Sequence, residues 1–173
     1  LRTRGGDATF STTGIGAASH LAGELLKSMA GVNFTFVSYR GTPAAVTDFL
    51  AGRVDMMIDS QTLLAPMIRD GRVKGIAVTT ARRSAMLPDL PTMAEAGVAG
   101  YQTSSLQMML APAATPAPNL ATLGAAMKKV LDDPAVRARF TERGIEVLNG
   151  DAAALARTIR EEGARWLPIL RRA

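Results

Sequence analysis

Apolar residues follow two rhythms along this chain, a strand-like alternation and a helical spacing of three and four, and the two take turns from the start. Asp7 to Ser11 reads as a strand leaving through the turn Thr12-Thr13-Gly14-Ile15-Gly16. From Ala17 to Met29 an apolar stripe at Ala18, Leu21, Leu25 and Met29 predicts a helix, with Gly31 where a C-cap glycine belongs. Phe34 to Ser38 alternates as a strand. Tyr39-Arg40-Gly41-Thr42 turns the chain into a helix with Thr42 as N-cap and Pro43 in its first turn, ending at Gly52. Val54 to Ile58 is a short strand ending at Asp59-Ser60-Gln61-Thr62, and Leu63 to Asp70 a short helix closed by Gly71. A buried strand is expected over Lys74 to Thr80, a brief helix over Thr92 to Ala96 and another strand over Leu106 to Ala111. A Pro/Ala-rich link follows, through Pro116 and Pro118. Beyond it three helices are predicted, Asn119 to Leu131, Pro134 to Arg143 and Asp151 to Leu170, with a short strand Glu146 to Leu148 among them. Strand and helix in alternation is the mark of an α/β fold with a parallel-rich sheet and flanking helices.

Composition narrows the function. With 173 residues, 47% hydrophobic and 20% charged, the chain can bury a sizeable core. Zero cysteines remove disulfides, thiolate metal sites and cysteine nucleophiles together. No apolar stretch approaches the roughly 20 residues needed to span a bilayer. The first residues, Leu1 to Gly6, carry no apolar signal core and no initiating Met, the pattern expected of a processed or truncated product. The net charge of +5 raises nucleic acid as a partner, but the basic residues are dispersed. Their densest group, Arg157, Arg160, Arg165, Arg171 and Arg172, is interleaved with Glu161 and Glu162. Five Phe, two Tyr and one Trp give little stacking platform, so no nucleic acid is expected.

In parallel α/β sheets ligands sit beyond the carboxyl ends of the strands, which directs attention to three turns. Ser11, Thr12, Thr13, Gly14, Gly16 and Ser19 combine hydroxyls, glycines open to close approach and the free N–H groups of a helix start. Tyr39, Gly41, Thr42 and Ala44 repeat that arrangement at a second helix start. Asp59 supplies a carboxylate at the third turn. Two helix N-termini beside one carboxylate fit a small carboxylate whose other end carries a donor. Other chemistries have less behind them. The glycines lack the third member of a dinucleotide fingerprint, and one histidine without cysteine forms no metal set, so no cofactor is expected. Ser19 and His20, adjacent on a helix, do not face each other as a nucleophile and base must, which argues against an enzyme. His20 is expected to pack or hydrogen-bond, and the Met residues of the strands to fill the core.

These residues, in order and spacing, resemble a known family. Gly14-Ile15-Gly16 is followed by His20-Leu21-Ala22-Gly23-Glu24-Leu25, then Val37-Ser38-Tyr39-Arg40-Gly41-Thr42-Pro43-Ala44, then Gly52-Arg53-Val54-Asp55-Met56-Met57-Ile58-Asp59. Gly71-Arg72-Val73-Lys74-Gly75-Ile76-Ala77-Val78, Leu87-Pro88-Asp89-Leu90-Pro91-Thr92-Met93-Ala94-Glu95-Ala96-Gly97 and Leu110-Ala111-Pro112 continue the match. The chain resembles the extracytoplasmic solute receptors of tripartite tricarboxylate transporters, often called Bug proteins. Ser38 departs from the family, where Pro is common, and Leu106 stands where an aromatic is often seen. The resemblance implies a periplasmic-binding-protein-like fold of type II, in which two lobes close on a ligand like a flytrap. Residues 1–103 would then be most of lobe two, and residues 104–173 the C-terminal part of lobe one, whose N-terminal part lies outside the chain. It implies a periplasmic receptor holding a small carboxylate through backbone amides, hydroxyls and waters, with membrane permease subunits as partners. Apolar helix faces left without their sheet would favour association between chains or segment exchange. The alternative is the ligand-sensing domain of a transcription regulator, which shares the architecture; no helix-turn-helix segment is present in this chain.

Overall fold

The computed structural model describes residues 6–148 and 150–171. Arg172 and residues 1–5, read above from the sequence, lie outside the described residues. The chain divides into two compact units, one taking the residues up to Ser104 and those from Trp166 onward, the other Ser105–Arg165.

In the first unit β1 (Thr9–Thr12), α1 (Ala18–Ala30), β2 (Thr35–Ser38), α2 (Thr42–Leu50), β3 (Met56–Met57) and α3 (Gln61–Arg69) follow one another. The strands form a parallel sheet in the order β2-β1-β3, with Phe10 opposite both Phe36 and Met56. Parallel pairing needs a crossover, and each one here is a helix. α1 ends at Gly31, whose φ of 61° is the left-handed cap that glycine adopts without a Cβ penalty. Alternation in β1 and β2 brings Phe10, Phe34 and Phe36 together, ring centroids 5.1–5.6 Å apart. α1 lies on them at Gly23, where a Cβ would come 2.5 Å from Phe36. Tyr101 closes the core, its buried hydroxyl donating to the carbonyl of Ala22 at 2.8 Å. Trp166 and Ile169, from the end of α6 (Ala152–Leu170), pack against the same core.

Several expected elements differ. The strand expected over 74–80 is a single parallel bridge, Val78 to Thr92. Val78 donates to the Pro91 carbonyl and accepts from Met93, and Pro91 has no N–H with which to extend a ladder. Thr92 to Ala96 makes one turn and not a helix: Thr92 and Glu95 satisfy each other's backbone N–H groups, and Gly97 at φ 102° redirects the chain. Neither 106–111 nor 146–148 forms a strand. Their apolar residues mark a strand-like face, but a strand also needs a neighbour to bond with. Val54 to Ile58 pairs only at Met56–Met57.

The second unit holds α4 (Ala117–Asp132), α5 (Pro134–Glu142) and the first part of α6, close to the three helices expected. Asp133 caps α5, its carboxylate accepting from the N–H groups of Ala135 and Val136.

Candidate functional site

The three strand exits share the carboxyl edge of one sheet, and each leads straight into a helix N-terminus. None of α1, α2 and α3 has a side-chain cap at that end or an acidic residue in its first turn. Their leading N–H groups therefore keep the partial positive charge of a helix start. Two bonds knit the turns together. Tyr39 N–H donates to the Thr12 carbonyl at 2.8 Å, and the Thr42 hydroxyl donates to Asp59 Oδ2 at 3.3 Å.

The first turn is stabilised by its own side chains. Thr12 Oγ1 donates to the Gly14 carbonyl at 3.0 Å and accepts from Gly14 N–H. Ser19 Oγ lies 3.2 Å from it and accepts from Thr13 N–H. His20 is buried; its Nδ1 accepts from Gly16 N–H at 3.4 Å while its ring packs on Phe36. Ser11 is buried beneath this turn, its hydroxyl directed to the Met56 carbonyl. Ser11, Thr12, Thr13, Gly14, Gly16 and Ser19 thus come together, with Ser11 and Thr12 as underpinning and the outer face carrying exposed Gly16 and the uncapped start of α1.

The second turn is built differently. Thr42, expected as N-cap, is the first residue of α2; Gly41 holds the cap position at φ 100°. A threonine would be strained at that φ, so glycine takes the cap, the helix begins at Thr42, one residue earlier than expected, and the Thr42 hydroxyl reaches Asp59. Ala44 is exposed in that first turn. The Tyr39 phenol donates to Asp48 Oδ2 at 3.1 Å, and Asp48 Oδ1 accepts from Arg53 at 2.8 Å. Desolvation first, and then the hydrogen bond to Asp48, push the Tyr39 phenol above its ordinary pKa.

At the third turn Asp59 Oδ1 accepts from Ser60 N–H at 2.7 Å. Among the described residues the Gln61 amide oxygen, on the first residue of α3, is buried without a hydrogen-bond partner. Sequence reasoning left Asp48, Arg53 and His20 outside the site. His20 and Arg53 fall inside the quoted motifs without a site role of their own, and Asp48 falls in none. Among the described residues no group of His, Cys, Asp and Glu could hold a metal ion. A cleft of about 270 Å³ lies at the far end of α3, lined by Ile68, Arg69 and residues 86–90, away from the three turns.

The chain as a whole resembles known proteins. The family described as tripartite tricarboxylate transporter family receptor matches residues 1–173. A UPF0065 protein of Pseudomonas sp. from a tcbD-tcbE intergenic region is 36% identical over 170 residues, covering 98% of this chain and 51% of that protein. Among solved structures, an R. palustris protein with adipate superposes at TM-score 0.90 with 34% identity, covering 98% of this chain and 57% of that one. The periplasmic binding protein BugD superposes at TM-score 0.86 with 35% identity, covering 99% and 58%. The α/β fold is that of the periplasmic binding proteins. The chain spans about half the length of the first curated relatives it matches.

Proposed function

Because this chain belongs to the tripartite tricarboxylate transporter receptor family, we propose that it serves in a periplasmic solute receptor that captures a small organic carboxylate and passes it to membrane permease subunits. The family is one of receptors and not of enzymes, and the neighbours do not favour a transcription regulator's sensor domain.

One observation supports the carboxylate reading above the others. Three helix N-termini meet at one sheet edge with no side-chain cap and no acidic first turn. Each helix start favours an anion by about 0.3–1 kcal/mol when exposed and more when solvent is excluded. A carboxylate has two oxygens and can accept from more than one of them. In this reading the N–H groups at the start of α1, beside the turn that Gly14 and Gly16 shape, and those of Gly41, Thr42 and Ala44, face the anionic end, while the Gly14 and Gly16 N–H groups are held within the turn by Thr12 and His20. Thr13 and Ser19 stand beside them. Asp59 takes the other end of the ligand, which carries a donor. Residues 1–103 act as one ligand-holding lobe and residues 104–173 belong to the other, with Trp166 and Ile169 at the end of α6 returning to pack on the core of the first.

Thermal-shift titration of this chain with malate, adipate, citrate and their uncharged amides tests the reading. A ligand bound only by the folded state raises the midpoint with its concentration. We expect a rise for at least one acid and none for its amide; no rise for any acid overturns the proposal. Apolar side chains left exposed on α4 and α6, among them Leu120, Leu123 and Ile159, support association between chains or exchange of the C-terminal segment. Sedimentation at increasing concentration checks that, and a monomer throughout counts against it.

A further inference from the structure

The residue that follows β2 carries two anchors. Tyr39 N–H continues the β1–β2 pairing one step past its last register pair, Thr12 with Ser38, by donating to the Thr12 carbonyl. Its phenol reaches nine residues ahead to Asp48, on the second turn of α2. The other oxygen of Asp48 accepts from Arg53, in the loop that leads to β3, and Arg53 N–H returns a 2.9 Å bond to the Asp48 carbonyl. α2 is thereby fastened to the strand before it and to the chain after it.

The turn between these anchors has little hold of its own. Gly41 offers no side chain, and α2 has no side-chain capping bond at its start. The side-chain bond the turn does make, Thr42 to Asp59, is long at 3.3 Å. The first turn, by contrast, is laced by Thr12, Ser19 and His20. The direction in which the second helix presents its N–H groups therefore depends on a bond made at Asp48, in the next turn of that helix. A phenol donating to a carboxylate is a charge-assisted hydrogen bond, stronger than a neutral one. Arg53 is largely exposed, so its ion pair is screened by solvent and is the weaker half of the brace.

We propose that Tyr39 and Asp48 are positioning residues that set the α2 N-terminus for the ligand, Tyr39 acting through Asp48 and not by touching the ligand. The proposal refines the carboxylate reading above and rests on it for the word ligand; the brace itself is a property of the fold. With its hydroxyl engaged and drawn toward α2, the Tyr39 phenol is not free to donate to a carboxylate on the sheet edge. Its raised pKa agrees with that engagement.

Amide hydrogen exchange on the 173-residue chain with Tyr39→Phe, Asp48→Asn and the double substitution tests the brace. The expected result is exchange about tenfold faster at Tyr39 and at Ala45 to Asp48 in either single variant, the scale of losing one charge-assisted bond. The double variant should be no faster than the singles, and the α1 amides of Leu25 and Leu26 should be unchanged. Unaltered exchange in α2, additive effects, or faster exchange throughout the sheet unit would each overturn it, the last showing only general loosening. Malate titration by calorimetry supplies the second arm. Equal weakening by Tyr39→Phe and Asp48→Asn supports positioning, whereas weakening by Tyr39→Phe alone makes the phenol a direct contact and overturns the proposal. If the unsubstituted chain binds no malate, that result counts against the carboxylate reading, and the exchange data alone decide the brace.

Discussion

The sheet unit and the helical unit Ser105–Arg165 both carry amphipathic helices, α1 in one and α4 in the other, and reach opposite ends. Phe10, Phe34 and Tyr101 are all but inaccessible in the first, whereas α4 and α5 bury none of their residues and α6 none of its own. Leu120, Leu123 and Val130, spaced along one stripe of α4, are each about half exposed. The helical unit draws instead on local devices: the Asp133 cap, the i,i+4 pair of Lys128 with Asp132, and short-range turns. Periodicity thus specifies that a helix forms and which face is apolar, while the stability gained from that face is fixed by what lies against it.

The comparison can be broken most directly by trimming one apolar side chain in each unit. Phe10→Ala should cost about 3–5 kcal/mol in urea unfolding, the usual price of an aromatic cavity in a core, while Leu120→Ala should stay within about 0.5 kcal/mol. Equal costs would show that α4 is as well packed as β1. Glycines give a second contrast, of opposite sign. Gly23→Ala drives a methyl into Phe36 and should destabilise by about 1–3 kcal/mol. Gly124→Ala meets nothing within 4 Å and should stabilise α4 by about 0.4–1 kcal/mol. Thermal unfolding by circular dichroism reads both. Next in size, Asp133→Ala should lower α5 helicity and cost about 1 kcal/mol, as loss of an N-cap does.

The smallest effect depends on pH. The Thr92 backbone N–H and then the Arg83 guanidinium hold the Glu95 carboxyl below the ordinary carboxylate range. A depressed folded value means the unfolded state binds the proton more readily. The stability Glu95 contributes is therefore present above its unfolded pKa and is lost as pH falls through the folded value. Glu95→Gln should flatten the acid side of the melting profile there; an unchanged slope would remove Glu95 from the account.

Much of this was legible in the sequence, for a reason visible in particular residues. Helices α1 to α3 announce themselves through local stripes and stops such as Leu21, Leu25 and Gly31, and the turns between them fall at the sheet edge as expected. The expected strands at 74–80, 106–111 and 146–148 were not, because pairing depends on a distant neighbour that apolar pattern does not name. Thr42 was misplaced by one residue since a hydroxyl suits an N-cap, but the turn needed the φ of Gly41. Asp48 and Arg53 escaped notice because a helix residue bonded to the residue after a strand, and a loop residue bonded to that helix residue, leave no periodic trace. The candidate turns were readable from hydroxyls and glycines, while which N–H groups face inward, as those of Thr13 and Gly16 do, depends on side-chain rotamers.

The parallel pairing of β1 with both neighbours has a consequence for how the protein folds. Thr9 meets Thr35 and Phe10 meets Met56, so no two strands of this sheet can zip from a tight turn. Each pairing must close a long loop before any ladder bond offsets the lost chain entropy, which slows such topologies relative to local ones. α4 and α5, adjacent along the chain, face no such search. During refolding, helical signal should therefore rise ahead of burial of the Phe10, Phe34 and Phe36 rings, leaving those aromatics open to water for the interval between.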